Sequence, residues 1–335
     1  MTVATLRAEV IDSLVALAWD QWGRLGASVA ASSARETRAA DPEALTLFTL
    51  EIGRNDPRLF DEVLDWLATN LHLVSVRRLR NLCVNATDRA LVDSALTWVA
   101  RSSPQARLKS RADADHSGGL EPLFHGLPAP VDNADPAFAR HGFARPHLEA
   151  SGKSQAPVLA DPIAFAFRLR RLLGVGVRAE VVRTLLTVRA PRISGRAISA
   201  SAGFAQRNVR EGLAQLQEAG VVTFVDIGDD RHYAAKPDRW AMLLGIEPPD
   251  LPQHCDWIPT LRALTAIVRW LQRPDVGELS DYLRASEART LMTAIDPDLR
   301  YAAITLSQRP SHGAEYWTDF EEQLRNLVAH AFARP

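Results

Sequence analysis

Residues 178–235 read RAEVVRTLLTVRAPRISGRAISASAGFAQRNVREGLAQLQEAGVVTFVDIGDDRHYAA, and this stretch decides the fold. Val181, Val182, Leu185 and Leu186 recur at helical spacing, so a first helix is predicted over 178–188 with these side chains turned inward. A short second helix follows over 194–202, with Ala197 and Ile198 facing the same core, and Gly203 makes the turn. A third helix covers 205–219. At about 100° per residue, Val209, Leu213 and Leu216 fall within about 60° of one another and form its buried face. Gly220 suits the left-handed residue that ends a helix. The β-rich run Val221–Ile227, the turn Gly228-Asp229-Asp230 and the return Arg231–Ala235 read as a hairpin.

The third helix also has an outer face. Arg207 lies almost opposite the apolar stripe, Arg210 lies on the same outer side, and Gln206 and Asn208 flank it near the N-terminal end. A guanidinium matches guanine O6 and N7, and a carboxamide matches adenine N6 and N7. Arg231 and His232, at the hairpin, are placed to meet phosphates or a minor groove. Gln206, Arg207, Asn208, Arg210, Arg231 and His232 are therefore the candidate contacts to double-stranded DNA. The competing reading is a solvated helix face in a module that binds protein. Charge favours the first. Residues 161–240 hold 13 Lys and Arg against 8 Asp and Glu, while residues 1–100 hold 10 against 13 and residues 241–335 hold 9 against 13. A local basic segment in a chain of net charge −1 is what phosphate contact needs.

The string QRNVREGLAQLQEAGVV, with the hairpin after it, resembles bacterial winged-helix transcription regulators. The resemblance covers about a quarter of the chain. It implies a mainly α protein with a central winged helix-turn-helix at 161–245, acting as a DNA-binding repressor. Ala205 departs from the pattern, since a Ser, Thr or Asp cap is expected there. Taken whole, the chain is also similar to winged-helix antitoxins paired with nucleotidyltransferase-type toxins. That similarity implies a protein partner and autoregulation, although the unit is central here and N-terminal in those antitoxins.

Outward from this unit, both flanks read as helical. Val3, Leu6, Val10, Leu14 and Leu17 mark one helix. Asp41-Pro42 and Asp56-Pro57 open two more, because Asp caps and Pro fits the first turn. The piece at residues 76–83, capped by Ser75 and containing most of the string SVRRLRNL (75–82), carries Arg77, Arg78, Arg80 and Asn81. Residues 43–83 could thus be a second helix-turn-helix-like unit, or a helical dimerisation domain with an exposed basic turn. Residues 102–160 hold seven prolines and a Gly-Gly pair and read as a linker, least ordered over 103–120, with Phe124, Phe138 and Phe143 docking part of it. Residues 250–335 form a C-terminal helical domain suited to homo-oligomer formation.

Catalytic patterns are missing. There is no GxGxxG, GxxxxGK[ST] or GxSxG string. His141 and His147 have no third ligand at metal spacing. No cofactor or metal and no enzymatic activity are expected. Two cysteines, the lack of an apolar run of about 18 residues and the lack of a signal-peptide pattern suggest a cytoplasmic protein.

Overall fold

The structure is a computed structural model that describes residues 2–29, 36–103, 118–128, 133–306 and 311–333. It is mainly helical. The first helices are α1 (Val3–Arg24), α2 (Pro42–Ile52), α3 (Pro57–Asn70), α4 (Val76–Leu82) and α5 (Ala86–Ser102). Two short parallel strands, β1 (Glu121–Pro122) and β2 (Phe143–Ala144), bracket α6 (Pro136–Ala139). Then come α7 (Phe165–Leu173), α8 (Val177–Thr187), β3 (Ile193–Ser194), α9 (Gly195–Ala202), α10 (Gln206–Glu218), β4 (Val222–Ile227), β5 (Asp230–Ala235) and α11 (Pro237–Leu244). The chain closes with α12 (Trp257–Gln272), α13 (Asp281–Tyr301) and α14 (Tyr316–Phe332).

The helix starts follow from local chemistry. Asp41 accepts from the Ala44 N–H at 3.0 Å, and Asp56 accepts from Arg58 and Leu59, each with proline next in the chain. Ser75 and Asn85 cap α4 and α5 in the same way. Each such cap satisfies donors that the first turn leaves unpaired, at about 1 kcal/mol per cap.

Packing divides the apolar side chains into two cores. The larger gathers Leu6, Leu14 and Trp22 of α1, Phe60 and Trp66 of α3, Leu264 and Leu271 of α12, and Phe320 and Leu327 of α14. Helix α1 packs on both α12 and α14, so the two flanks of the chain share one interior. The second core holds Leu169, Val181, Val182, Leu185, Leu186, Ile198, Val209, Leu213, Leu216, Val222, Tyr233 and Trp240. Apart from Ala39, its members lie within residues 165–251.

Much of the proline-rich stretch is packed. Leu123 and Phe138 are fully buried, and Phe124 and Phe143 nearly so; Phe60 stacks edge-on against Phe124. The docking expected of Phe124, Phe138 and Phe143 is what the structure has. Ion pairs hold this strap: Arg101 grips both oxygens of Asp135, and Arg145 meets Asp61 at 2.7 Å. Asp65 accepts from the backbone of Gly152 and Ser154. Residues 104–117, where the sequence places the least ordered stretch, lie outside the described residues. No helix among the described residues is long and apolar enough to cross a membrane.

Candidate nucleic-acid interface

The three predicted helices are α8, α9 and α10, and the hairpin is β4–β5. Val209 and Leu213 are fully buried and Leu216 nearly so. Gly220 takes φ +72°, and the Val221 N–H returns to the Leu216 carbonyl, closing α10. The hairpin turn is Gly228-Asp229, with Gly228 at φ +60°, and Asp230 already pairs with Ile227. A third strand, β3, pairs with β5 through Ile193–Tyr233 and Ser194–His232, giving an antiparallel sheet of order β3–β5–β4. Two residues are too short for a period-2 signal, so sequence reasoning missed this strand.

The six candidate residues are not equivalent. Gln206, Arg207 and Arg210 are exposed on α10, and Asn208 is half-buried. Arg207 has an 88% exposed side chain and a surface ion pair to Glu211 at 3.1 Å. No side chain caps α10 at Ala205. Arg231 is exposed and pairs with Asp226 at 3.3 Å, with its guanidinium 4.7 Å from the Phe224 ring centre. His232 is half-buried on β5, and its Nδ1 is enclosed with no partner among the described residues. It sits behind the hairpin tip, which instead presents Asp229 and Asp230. Arg189, Arg192 and Arg196, between α8 and the first turn of α9, were passed over by the sequence reading. All three are exposed and make no ion pair among the described residues. The signal for them was the charge count, which included them without singling them out.

The unit is joined to the larger core by a buried ionic cluster. Arg78 of α4 donates to Asp41 at 2.6 Å, to Glu43 at 2.7 Å and to the Ala202 carbonyl at 2.7 Å. Arg170 of α7 donates to both oxygens of Glu43 and to Glu180 of α8. Arg183 completes the set on Glu180 at 2.7 Å. All six side chains are at most 2% exposed, and their three positive and three negative charges balance. Burial alone would raise the Asp41 and Glu180 carboxyls. The guanidiniums outweigh it, Arg78 chiefly at Asp41 and Arg170 chiefly at Glu180, and hold both below their ordinary values. The reading of 76–83 as an exposed basic turn is thus corrected at Arg78, which is fully buried. Arg77 and Asn81 are exposed, and Arg80 pairs with Asp93 at 3.0 Å.

The turn before α10 is held from outside. Gly203 takes φ +66°, and a Cβ there would stand 2.9 Å from the Ile258 Cδ1 and 3.2 Å from the Arg78 Nε. The Tyr301 hydroxyl reaches the Ala197 carbonyl at 3.3 Å.

Other candidate chemistry is quiet. Burial pushes the Cys83 and Cys255 thiols up to about 12, which leaves them protonated at neutral pH and weak nucleophiles. His141 bonds Thr97, and His147 faces Asp135 at 3.3 Å. No cluster of three metal-ligating side chains occurs among the described residues. Trp270 packs against Trp317 and Phe320. Against family models, curated proteins and solved structures, the chain has no match.

Proposed function

We propose that residues 161–245 form a winged helix-turn-helix that binds double-stranded DNA, and that the protein is a transcription regulator. The observation that carries this reading is α10. Its apolar stripe is buried against α8, α9 and the three-stranded sheet, while Gln206, Arg207 and Arg210 stand at its N-terminal end in solvent. In this module that end of the third helix enters the major groove.

The charges around it refine the reading. Arg189, Arg192, Arg196 and Arg210 have no carboxylate partner among the described residues to release and are the natural phosphate contacts. Arg207 must leave Glu211, and Arg231 must leave Asp226, before either meets DNA. Asp229 and Asp230 disfavour phosphates at the hairpin tip, so the helix side leads the approach. With Arg231, once released from Asp226, as a fifth phosphate contact, the slope of log affinity against log salt is near −4.5, at about −0.9 per phosphate. The test is a salt titration of binding to a promoter-proximal duplex, with the triple variant Arg189→Ala, Arg192→Ala, Arg196→Ala. The reading predicts a slope shallower by about 2–3 units. No binding of wild type at low salt, or an unchanged slope in the variant, overturns it.

One observation favours a protein partner as a second reading. Met242 is 84% and Leu243 61% exposed, side by side on α11. Loss of an oligomer in the variant Met242→Ser, Leu243→Ser, read by sedimentation, would favour it; an unchanged mass would count against it.

A further inference from the structure

We propose that the hollow between α2, the α4–α5 connection and α12 binds a small monocarboxylate with an apolar body, and that occupancy acts on the turn before α10. The hollow has a volume of about 340 Å³, within the range of small-molecule sites. Leu47, Phe48, Leu82, Val84, Ile258 and Leu261 supply most of its wall. Val84, one of these wall residues, is 59% exposed. Covering such apolar surface favours a ligand at about 25 cal/mol per Å².

The polar groups in the wall select the head group. Asp88 is engaged at both oxygens, one by the Arg269 guanidinium at 2.6 Å and the other by the Val84 N–H at 2.8 Å. It has little left to offer an ammonium. The Asn85 Oδ1 caps α5 through the Asp88 N–H, which leaves the side-chain amide N–H groups without a partner among the described residues. Arg262 uses Nε and Nη2 on Asp298, and its Nη1 has no partner among the described residues. What remains is donor capacity on an amide and a guanidinium, so the ligand must bring acceptors. A carboxylate meets both with charge-assisted bonds.

The route to α10 is short. Ile258 is both a wall of the hollow and the side chain that occupies the space beside Gly203 where a Cβ would stand. Helix α2, which supplies Ala44 and Phe48 to the wall, also carries Glu43 of the buried cluster and is capped by Asp41 of that cluster. A ligand that shifts Ile258 must therefore shift the Gly203 turn or the Arg78 contact beneath it. An effect on DNA affinity rests on the function proposed above; binding to the hollow does not.

The experiment is calorimetry on the full chain with octanoate, octanol and octylamine, together with amide exchange of residues 203–208. Octanoate is expected to bind one to one, at least about tenfold tighter than the other two. Ala266→Trp should fill the hollow and abolish binding. Arg262→Gln, at an exposed position that cannot upset the core, should weaken octanoate about tenfold and leave octanol unchanged. Octanoate should change exchange at 203–208 in the wild type alone. Equal affinity for octylamine, or undiminished octanoate binding to Arg262→Gln, overturns the site. Unchanged exchange overturns the coupling. Both readouts stand even if no duplex binds, so failure of the site and failure of the DNA reading are separable.

Discussion

Two groups of arginines divide this molecule. Arg78, Arg170 and Arg183 are buried in a neutral cluster that joins the larger core to the unit around α10. Arg189, Arg192, Arg196, Arg207 and Arg210 stand in solvent on that unit. In the sequence the two look alike: VRRLRN around Arg78 and QRNVRE around Arg207 are both basic and amphipathic. The difference lies in the partners. Asp41 and Glu43 come from another helix and meet Arg78 only after folding, whereas Glu211 lies one turn from Arg207 and meets it in any helix. A buried guanidinium serves the joint between cores, and an exposed one keeps its charge available to a ligand.

The largest effects should come from breaking the buried group. Arg78→Ala leaves Asp41 and Glu43 enclosed without the guanidinium that gives them three hydrogen bonds, and breaking such a pair costs about 3–5 kcal/mol. Chemical denaturation should show this loss, while Arg210→Ala should change stability by less than about 0.5 kcal/mol. Equal losses would erase the distinction. Acid offers a second break. Asp41 and Glu180 are held below their ordinary values in the folded state, so their stabilisation is present at neutral pH and is lost as pH falls through those lowered values. Stability should drop below about pH 4, where free carboxylates begin to protonate. An Arg78→Met, Asp41→Leu variant, which leaves Arg170 and Arg183 balanced by Glu43 and Glu180, should lose part of that dependence. A flat profile from pH 7 to pH 3 in the wild type would contradict the depressed carboxyls.

Leu213→Ala comes next, at about 2–5 kcal/mol, because its side chain is fully buried in the second core. This face of α10 was legible from spacing alone, as were the caps at Asp41, Asp56 and Ser75. Those signals are local: a 3.6-residue period, or a polar side chain beside its own first turn. The cluster was not legible, since its members lie at 41, 43, 78, 170, 180 and 183 and only the tertiary fold assembles them. The shared interior of α1, α12 and α14 was hidden for the same reason. Strand β3 escaped because its two residues are set by pairing with β5 rather than by their own pattern. At the interface, the outward placement of Gln206, Arg207 and Arg210 followed from the helical wheel. The enclosure of the His232 Nδ1 and the Asp226 partner of Arg231 followed from sheet register, which the sequence left open.

Within the exposed group, the comparison sharpens between base and phosphate contacts. On the proposed function, Arg207→Ala should cost about 1–3 kcal/mol on the specific duplex and relax preference at one base position. Arg231→Ala should weaken specific and scrambled duplexes alike and make the salt slope shallower by about one unit. A base-edge contact exists only on the right base, while a phosphate contact releases counterions on any sequence. Wild-type binding by both variants on both duplexes would remove α10 and the hairpin from the interface.

The smallest expected effect separates the fold of α10 from its charges. Ala205 sits at the start of α10 with extended backbone, φ −58° and ψ 140°, and offers no side-chain acceptor to the first turn. The Val209 N–H already bonds the Ala205 carbonyl, so the helix begins there, but donors at Arg207 and Asn208 lack an intrahelical partner. A serine hydroxyl at this position accepts from one of them without moving the chain. Ala205→Ser should therefore stabilise the protein by about 0.5–1 kcal/mol, read as a rise of about 1–3 °C in Tm. It adds no charge, so the salt slope of DNA binding should stay as in the wild type. The slope would shift only if the ordering of α10, rather than its arginines, limited the phosphate contacts. In that case the division between a structural and an available set of arginines would fail at α10, because the helix start would govern both. A Tm gain with an unchanged slope keeps the two apart.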